Sequence, residues 1–137
     1  LLGGMSTGMT PSVRRLTNQV AAGAGGEGRL VLVQGNARAP RGQPPRRDFS
    51  VAGEVRLGRG NFNDVILDED RASRVHAVIL PGGRDGGFLL EDMGSSNGTL
   101  VNGTHIYRGT RLKDGDLIQI GRVILRFEDA PARPLKP

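Results

Sequence analysis

Ser73, His76 and Asp92 are the residue types that a hydrolase triad uses. A triad needs its nucleophile on a strained turn with a base within hydrogen-bond reach, and Ser73 is not flanked by the glycines of a G-x-S-x-G turn. The glycines on either side of Arg59 are not followed by the third glycine and the helix of a dinucleotide-binding fingerprint. We therefore expect no catalytic residue and no enzymatic activity, and we keep a hydrolase as an alternative to test.

The chain has no cysteine and only two histidines, His76 and His105. Disulfides, thiolate metal sites and a cysteine nucleophile are therefore excluded, and a histidine metal site would need carboxylates to complete it. No apolar run reaches the roughly 18 residues of a membrane span, and the first residues lack the basic-then-apolar layout of a secretion signal. These features predict a soluble cytoplasmic protein with no metal, no cofactor and no membrane insertion.

Short apolar stretches separated by turn signals recur from Asp48 onward, and no helical period appears among them. Many short strands at this spacing indicate a β-sandwich or barrel. Asn97-Gly98, Asn102-Gly103 and Asp114-Gly115 mark tight turns, since these residues tolerate positive φ. The segment 35–47 is rich in proline and arginine, so we expect a loop there. The predicted strands are Arg29–Gln34, Phe49–Val51, Glu54–Leu57, Val65–Leu67, His76–Leu80, Phe88–Glu91, Thr99–Val101, Leu117–Ile120 and Val123–Phe127. Their apolar residues, Leu117 among them, are candidates for the core.

The net charge of +5 is unevenly distributed. Residues 1–53 contain seven arginines against two acidic residues, whereas residues 54–129 contain ten basic and twelve acidic residues. Nucleic-acid grooves combine basic clusters on the domain with stacking aromatic rings, and aromatic residues make up only 4% of this chain. Nucleic acid is therefore not the expected partner, and binding of a polyanion by the flanking arginines is kept as an alternative.

Three segments together, in their order along the chain, resemble the motifs of a known family. They are Leu57-Gly58-Arg59, Ser73-Arg74-Val75-His76 and Gly94–Thr99. Each alone is uninformative, because Gly-Arg pairs and Asn-Gly turns are common. Together, on an all-β pattern and followed by Val101-Asn102-Gly103, they resemble the forkhead-associated (FHA) family over about residues 28–129. The resemblance implies an FHA-type β-sandwich of two mostly antiparallel sheets, whose loops at one end bind phosphothreonine peptides in kinase signalling.

The resemblance also implies roles for individual residues. A phosphate carries about −1.5 to −2 charges and three acceptor oxygens, so its site needs cations, hydroxyl donors and backbone N–H groups from several loops. Arg59 is expected to bind a phosphate oxygen, and Ser73 and Ser96 to donate their hydroxyl groups. Asn97 is expected to pair with the main chain of the peptide. The family also holds the threonine γ-methyl group in a small apolar pocket, which implies a preference over phosphoserine.

Five further residues are expected to support or surround this set. His76 is expected to hydrogen-bond loop backbone and hold the second and third segments in place. Gly98 and Thr99 are expected to be structural as well. Gly58 and Arg74 are expected to form walls or backbone donors of the peptide site.

Arg71 precedes Ser73 by two residues, a position from which some FHA members read the third residue after the phosphothreonine. An arginine there would favour Asp or Glu through a charge-assisted pair. The adjacent Asp68, Glu69 and Asp70 could instead pair with it. Both interpretations of Arg71 stay open.

The ends of the chain are predicted to lie outside the FHA domain, with residues 1–27 as a flexible basic arm and residues 130–137 as a tail. Thr17 follows the Arg14-Arg15 pair at a spacing that basophilic kinases accept, so binding of the phosphorylated arm to its own domain is one hypothesis. A merely solubilising arm is the preferred interpretation. The expected partner is a phosphothreonine-containing protein, either a Ser/Thr kinase or its substrate.

Overall fold

Twelve short strands make up the computed structural model, which describes residues 27–82 and 86–130. Thr17 and nearly all of the predicted arm and tail lie outside these residues; Glu27 and Ala130 are the first residue of β1 and the last of β12. Within the described ranges there is no helical segment with the length and hydrophobicity of a membrane span. The strands are β1 (Glu27–Gln34), β2 (Ala37–Arg38), β3 (Asp48–Val51), β4 (Val55–Gly58), β5 (Val65–Leu67), β6 (Ala77–Pro81), β7 (Phe88–Asp92), β8 (Leu100–Val101), β9 (Thr104–His105), β10 (Thr110–Arg111), β11 (Leu117–Ile120) and β12 (Val123–Ala130).

The strands form two sheets of six. The first has the order β3-β1-β12-β11-β8-β9 and is antiparallel throughout. The second has the order β10-β7-β6-β4-β5-β2, and within it β4 and β5 run parallel, with Leu57 opposite Val65. The predicted fold class, a β-sandwich of two mostly antiparallel sheets, is confirmed.

The core lies between the sheets and follows from the two-residue period of the strands. In β1, Leu30 and Leu32 are buried while Arg29 is exposed, because alternate side chains point to opposite faces. The ring of Phe127 lies edge-on to that of Phe88 at 5.9 Å, and so connects the first sheet to the second. Burial of each such side chain contributes about 1.5–3 kcal/mol.

Two expectations about strands need correction. The segment 35–47 does not leave the sheet entirely, since Ala37 and Arg38 pair with β5 as edge strand β2 before the prolines begin. Leu117, expected from its apolar character to be a core residue, is 39% exposed. Its neighbour Ile118 is buried with Ile120, because residues two apart in a strand share a face.

Candidate functional site

Three loops meet at one end of the second sheet. We call them the β4–β5 loop (residues 59–64), the β5–β6 loop (residues 68–76) and the β7–β8 loop (residues 93–99). β5 runs parallel to β4, whereas β6 runs antiparallel to β4 and β7 antiparallel to β6. As a result β4, β5 and β7 finish, and β6 begins, at the same end. The three sequence segments that carry the resemblance are in this way brought together.

Backbone hydrogen bonds join the first two loops. The N–H group of Arg59 donates to the carbonyl of Ser73 at 2.9 Å, and that of Gly60 donates to the carbonyl of Arg74 at 3.1 Å. A Cβ atom at Gly58 would overlap with the same Arg74 carbonyl oxygen. Only glycine therefore allows the two loops to approach this closely.

The side chain of Arg59 is oriented by a backbone carbonyl. Its Nε–H donates to the carbonyl oxygen of Ala72 at 3.0 Å, and the residue is exposed. The two terminal nitrogens of the guanidinium have no partner within residues 27–82 and 86–130. They are thus free to bind an anion in front of the β5–β6 loop.

Asn63 is a buried residue that was not predicted to belong to the site. Its side-chain amide donates to the carbonyls of Gly60 at 2.8 Å and of Arg74 at 2.7 Å. The residue is only 1% exposed, so both bonds are protected from water. Asn63 fixes the shape of the β4–β5 loop that presents Arg59.

Ser73 and Ser96 come close to each other where the second and third loops meet. The backbone N–H of Ser96 lies 3.4 Å from the Oγ atom of Ser73, a long hydrogen bond in which the hydroxyl oxygen accepts. Neither hydroxyl proton has an acceptor in the described part of the chain. Ser73 is half-buried and Ser96 is exposed, so both remain able to donate to a ligand.

His76 is fully buried and bridges the same two loops through backbone atoms. Its Nδ1 atom accepts the N–H of Ser73 at 3.0 Å, and its Nε2 atom lies 2.9 Å from the carbonyl oxygen of Gly98. The two bonds fit the tautomer that carries its proton on Nε2. Because both ring nitrogens are engaged with backbone, the ring is not positioned to take a proton from the Ser73 hydroxyl.

The G-x-S-x-G pattern of some hydrolases does occur in this sequence from Gly94 to Gly98, with Ser96 at its centre; a second match, from Gly4 to Gly8, lies outside the described residues. In hydrolases the pattern forms a strand-to-helix elbow. Here it lies in the β7–β8 loop between two strands. His76, the histidine at this loop, contacts the carbonyl of Gly98 and not the Ser96 hydroxyl.

Asp92 organises the β7–β8 loop from its base. Its carboxylate accepts the hydroxyl of Ser95 at 2.6 Å, the backbone N–H of Ser95 at 2.9 Å and the hydroxyl of Thr99 at 2.7 Å. Burial alone would raise the pKa of Asp92, but the hydrogen bonds from Ser95 and Thr99 outweigh it and hold the pKa below its usual value. The Ser95 hydroxyl also accepts the N–H of Gly98 at 2.9 Å.

Asn97 and Arg71 connect the third loop to the second on its outer side. The side-chain Nδ2 of Asn97 donates to the carbonyl of Arg71 at 2.9 Å. The N–H of Arg71 donates to Glu69 at 2.9 Å, and the other oxygen of Glu69 accepts the N–H of Arg122 at 2.7 Å. These two backbone donors lower the pKa of Glu69. The Asn97 oxygen has no partner among the described residues.

The sequence left open whether the guanidinium of Arg71 pairs with the neighbouring acidic residues or contacts a ligand. It lies in no hydrogen bond and no ion pair within 4 Å in the described ranges, although Asp68, Glu69 and Asp70 are its neighbours. Glu69 instead uses its carboxylate on the backbone N–H groups of Arg71 and Arg122. The exposed Arg71 side chain is therefore available to a ligand.

The site residues expected from the sequence lie on these loops or at their ends. Arg74 contributes its carbonyl to the joint between the first two loops, and its exposed side chain extends from the same point. Asn63 and Ser95 were missed. Among the described residues, no three His, Asp or Glu side chains converge as a metal site requires. The predicted residues gathered here are Gly58, Arg59, Arg71, Ser73, Arg74, His76, Ser96, Asn97, Gly98 and Thr99.

The chain is similar in sequence to a known domain family and to several known proteins. Residues 55–121 match the FHA domain family. The ABC transporter ATP-binding/permease protein Rv1747 of Mycobacterium tuberculosis is 44% identical over 77 residues, which are 56% of this chain and 9% of that protein. The transcriptional regulatory protein EmbR of Mycobacterium tuberculosis is 41% identical over 69 residues, which are 50% of this chain and 17% of that protein. The chain thus spans only a small part of the length of both relatives.

Two solved structures share the fold. One, from work on phosphothreonine-dependent FHA domain interactions, has a TM-score of 0.60 and 27% identity and covers 80% of this chain and 99% of its own. The other, Mycobacterium tuberculosis EmbR in complex with a low-affinity phosphopeptide, has a TM-score of 0.64 and 28% identity and covers 90% of this chain and 30% of its own.

Proposed function

Because this chain carries an FHA domain, we propose that it is a phosphothreonine-dependent interaction module in kinase signalling. The binding unit is residues 28–129, and the ligand is a phosphothreonine segment of a Ser/Thr kinase or of its substrate. The two solved structures, one from work on phosphothreonine-dependent FHA domain interactions and the other of EmbR in complex with a low-affinity phosphopeptide, support this class of ligand.

The observation that carries the proposal is the convergence of one free cation and two free hydroxyl groups at one end of the sandwich. Arg59, Ser73 and Ser96 come from three different loops, and all three retain donors that have no partner in the described part of the chain. A phosphate dianion needs such a set of charge-assisted donors. The loops are already held together by backbone bonds, so little ordering would oppose binding.

The peptide main chain is proposed to pair with Asn97. The Nδ2 group of this residue is used within the domain, on the carbonyl of Arg71, which leaves the Oδ1 atom to accept an N–H group of the peptide. Arg71 itself would pair with an acidic residue after the phosphothreonine. Gly58 and Arg74 would act by setting the floor of the site between the first two loops.

We propose that the module performs no chemistry on its ligand. The one buried histidine of the site has both ring nitrogens bonded to backbone atoms, at Ser73 and at Gly98. A general base needs a ring nitrogen within reach of the proton it removes. The proposal places the interaction in the cytoplasm, where ATP-dependent kinases act, as the sequence leads us to expect.

The test is a titration of the full chain with paired threonine peptides that differ only in one phosphate, drawn from an oriented phosphothreonine library. Binding of the phosphorylated peptide alone is the expected result. Equal binding of both peptides would contradict the proposal. Binding of unrelated DNA that weakens steeply between low and physiological salt would favour the polyanion alternative. Turnover of ester or phosphate substrates would favour the hydrolase alternative.

A further inference from the structure

The segment between the first and third strands is strongly cationic. Residues 35–47 contain Arg38, Arg41, Arg46 and Arg47 and no acidic residue. We call residues 38–47 the arginine loop. It runs from β2, at the edge of the second sheet, to β3, at the edge of the first. The arginine loop therefore covers one flank of the sandwich with positive charge.

The arginines of this loop are not neutralised within the domain. No carboxylate lies within 4 Å of any of their guanidinium groups in the described ranges. Arg47 bonds the carbonyl of Leu32 at 3.3 Å, and Arg38 bonds the Oδ1 atom of Asn61 at 3.5 Å. Arg41 and Arg46 are exposed and make no side-chain bond among the described residues. This charge is available to a ligand.

A groove gives the charge a defined position. It has a volume of about 750 Å³, and Arg38 and Arg41 line it beside the apolar side chains of Pro40 and Ile66. Ile66 is only 2% exposed, but it alternates with the core residues Val65 and Leu67 and so lies on the face of β5 turned away from the core. The groove therefore lies on that face of the second sheet. The complete lining is Arg38, Ala39, Pro40, Arg41, Gln43, Pro45, Asn61 and Ile66.

The groove adjoins the phosphate site through the β4–β5 loop. Because β4 and β5 are parallel, this loop must run back along the sheet before β5 begins, and the N–H of Asp64 accordingly bonds the carbonyl of Arg56. Asn61 lies on this returning stretch, two residues after Arg59. Two residues span at most about 7 Å, so a peptide that leaves Arg59 along the loop reaches the groove within a few residues.

We propose that the arginine loop binds an acidic or second phosphorylated position of the same phosphoprotein segment that occupies the phosphate site. The proposal rests on the proposed function, since it extends the ligand already placed at Arg59. Guanidinium groups match carboxylate and phosphate oxygens through paired hydrogen bonds. A ligand with negative charge on the flank that crosses the β4–β5 loop would therefore bind more tightly than one with a neutral flank.

A protein segment fits this surface better than a nucleic acid does. The groove is lined by arginine, proline, amide and small or aliphatic side chains, with no aromatic ring on which bases would stack. Asp68 and Asp70, both exposed, lie on the β5–β6 loop at the site itself. A long phosphate backbone would be repelled there, whereas a short acidic segment on the flank would not.

The test uses fluorescent phosphothreonine peptides that all carry Ala at the third position after the phosphothreonine, so that the expected contact of Arg71 with an acid there does not contribute. Their flanks are of three kinds: neutral, acidic before the phosphothreonine, and acidic beyond that Ala. A fourth peptide carries a second phosphothreonine in place of the acidic run. Each is titrated into the full chain, into the double variant Arg41→Gln/Arg46→Gln and into the control Arg108→Gln. Arg108 is exposed and lies between β9 and β10, at the edge of the sandwich opposite to the arginine loop.

We expect one acidic flank to bind the wild type about fivefold more tightly than the neutral flank, the size expected for two exposed ion pairs. The advantage should disappear in the double variant and persist in Arg108→Gln, and it should shrink as salt is added. The neutral-flanked peptide should bind all three proteins equally.

The outcomes separate this inference from the proposed function. Failure of the wild type to bind the neutral-flanked phosphopeptide would overturn the proposed function. If that peptide binds but neither acidic flank adds affinity, or the double variant keeps the advantage, the arginine loop has no such role. Loss of duplex DNA binding in the double variant, without any effect on acidic peptides, would overturn the inference in favour of nucleic acid.

Discussion

The Nε2 atom of His76 lies 2.9 Å from the carbonyl oxygen of Gly98, and this bond ties the β5–β6 loop to the β7–β8 loop from inside the domain. At the other side of the ring, Nδ1 accepts the N–H of Ser73. The imidazole is fully buried, so water does not compete for either bond. One side chain therefore fixes the separation of the two loops that carry the hydroxyl groups.

Replacing His76 with Ala should lower the free energy of unfolding by about 2–4 kcal/mol, because the part-buried N–H of Ser73 and carbonyl of Gly98 would each lose their partner and the fully buried ring would leave a cavity. Urea denaturation of the two proteins measures the difference. His105→Ala serves as the control, since that residue is exposed and its ring makes no hydrogen bond in the described ranges. An unchanged midpoint combined with loss of a catalytic activity would contradict the structural role of His76.

Arg59→Ala should weaken phosphopeptide binding by about 1.5–3 kcal/mol, the range for a hydrogen bond to a charged group, and Ser73→Ala should do the same. Arg59→Lys should recover only part of the loss, because an ammonium cannot bond both the Ala72 carbonyl and the phosphate in the fixed geometry of a guanidinium. Isothermal titration with one phosphopeptide measures all three.

The matched control for these variants is Arg56→Ala. Arg56 is exposed on β4 and pairs with Glu54. Its replacement therefore also removes one arginine charge, but at a position outside the three loops. If a folded Arg59→Ala variant bound the phosphopeptide with wild-type affinity, the assignment of the phosphate site would be wrong.

Much of the fold could be predicted because apolar alternation and turn residues report strand positions directly. The strand Val65–Leu67, for example, is found as expected. The strands β9 and β10 contain two residues each, too few to show any alternation. β2 was missed for another reason: Ala37 and Arg38 take their place in the sheet from pairing with β5, which composition does not reveal.

The polar framework of the site was harder to predict than its exposed residues. Asn63 supports the site by donating both to the nearby carbonyl of Gly60 and to that of Arg74 on the next loop. An asparagine before a strand gives no signal of the second contact. Asp92 did carry a local signal, since an aspartate commonly accepts the N–H of a residue two or three positions later in a turn. Ser95 is that residue.

Phosphothreonine should bind about fourfold more tightly than phosphoserine in an otherwise identical peptide, because one buried methyl group contributes roughly 0.8 kcal/mol. The comparison needs only two titrations of the wild-type chain. Equal curves would count against the FHA mode of binding, while leaving phosphate recognition itself intact.

Arg71 is expected to act only on ligands with an acid at the third position after the phosphothreonine. Replacing that Asp with Ala in the peptide should weaken binding to the wild type by about 0.5–1 kcal/mol, as for an exposed ion pair. The same replacement should have almost no effect on Arg71→Ala. A double-mutant cycle gives this coupling directly, and a coupling of zero would mean that Arg71 does not contact this position.

The last prediction concerns the carboxylate at the base of the β7–β8 loop. Hydrogen bonds from Ser95 and Thr99 outweigh burial and lower the pKa of Asp92 in the folded state. A lowered folded pKa means that the ionised carboxylate stabilises the fold at pH values above the unfolded pKa of about 3.9. That contribution should be lost progressively as the pH falls from there through the folded pKa.

Asp92→Asn should therefore be less stable than the wild type at neutral pH, by about 2–3 kcal/mol for lost bonds to a charged group, and should lose less stability on acidification. Urea denaturation across the acidic range compares the two. Ser95→Ala is a milder variant that removes one of the donors and should show an intermediate pH dependence. Asp70→Asn is the control, since that side chain is exposed and bonds to no described residue. If the free energy of unfolding of Asp92→Asn followed the same pH dependence as that of Asp70→Asn and the wild type, the carboxylate of Asp92 would not be the group that holds the loop. The hydroxyl of Ser95 alone would then have to keep the N–H of Gly98 in place.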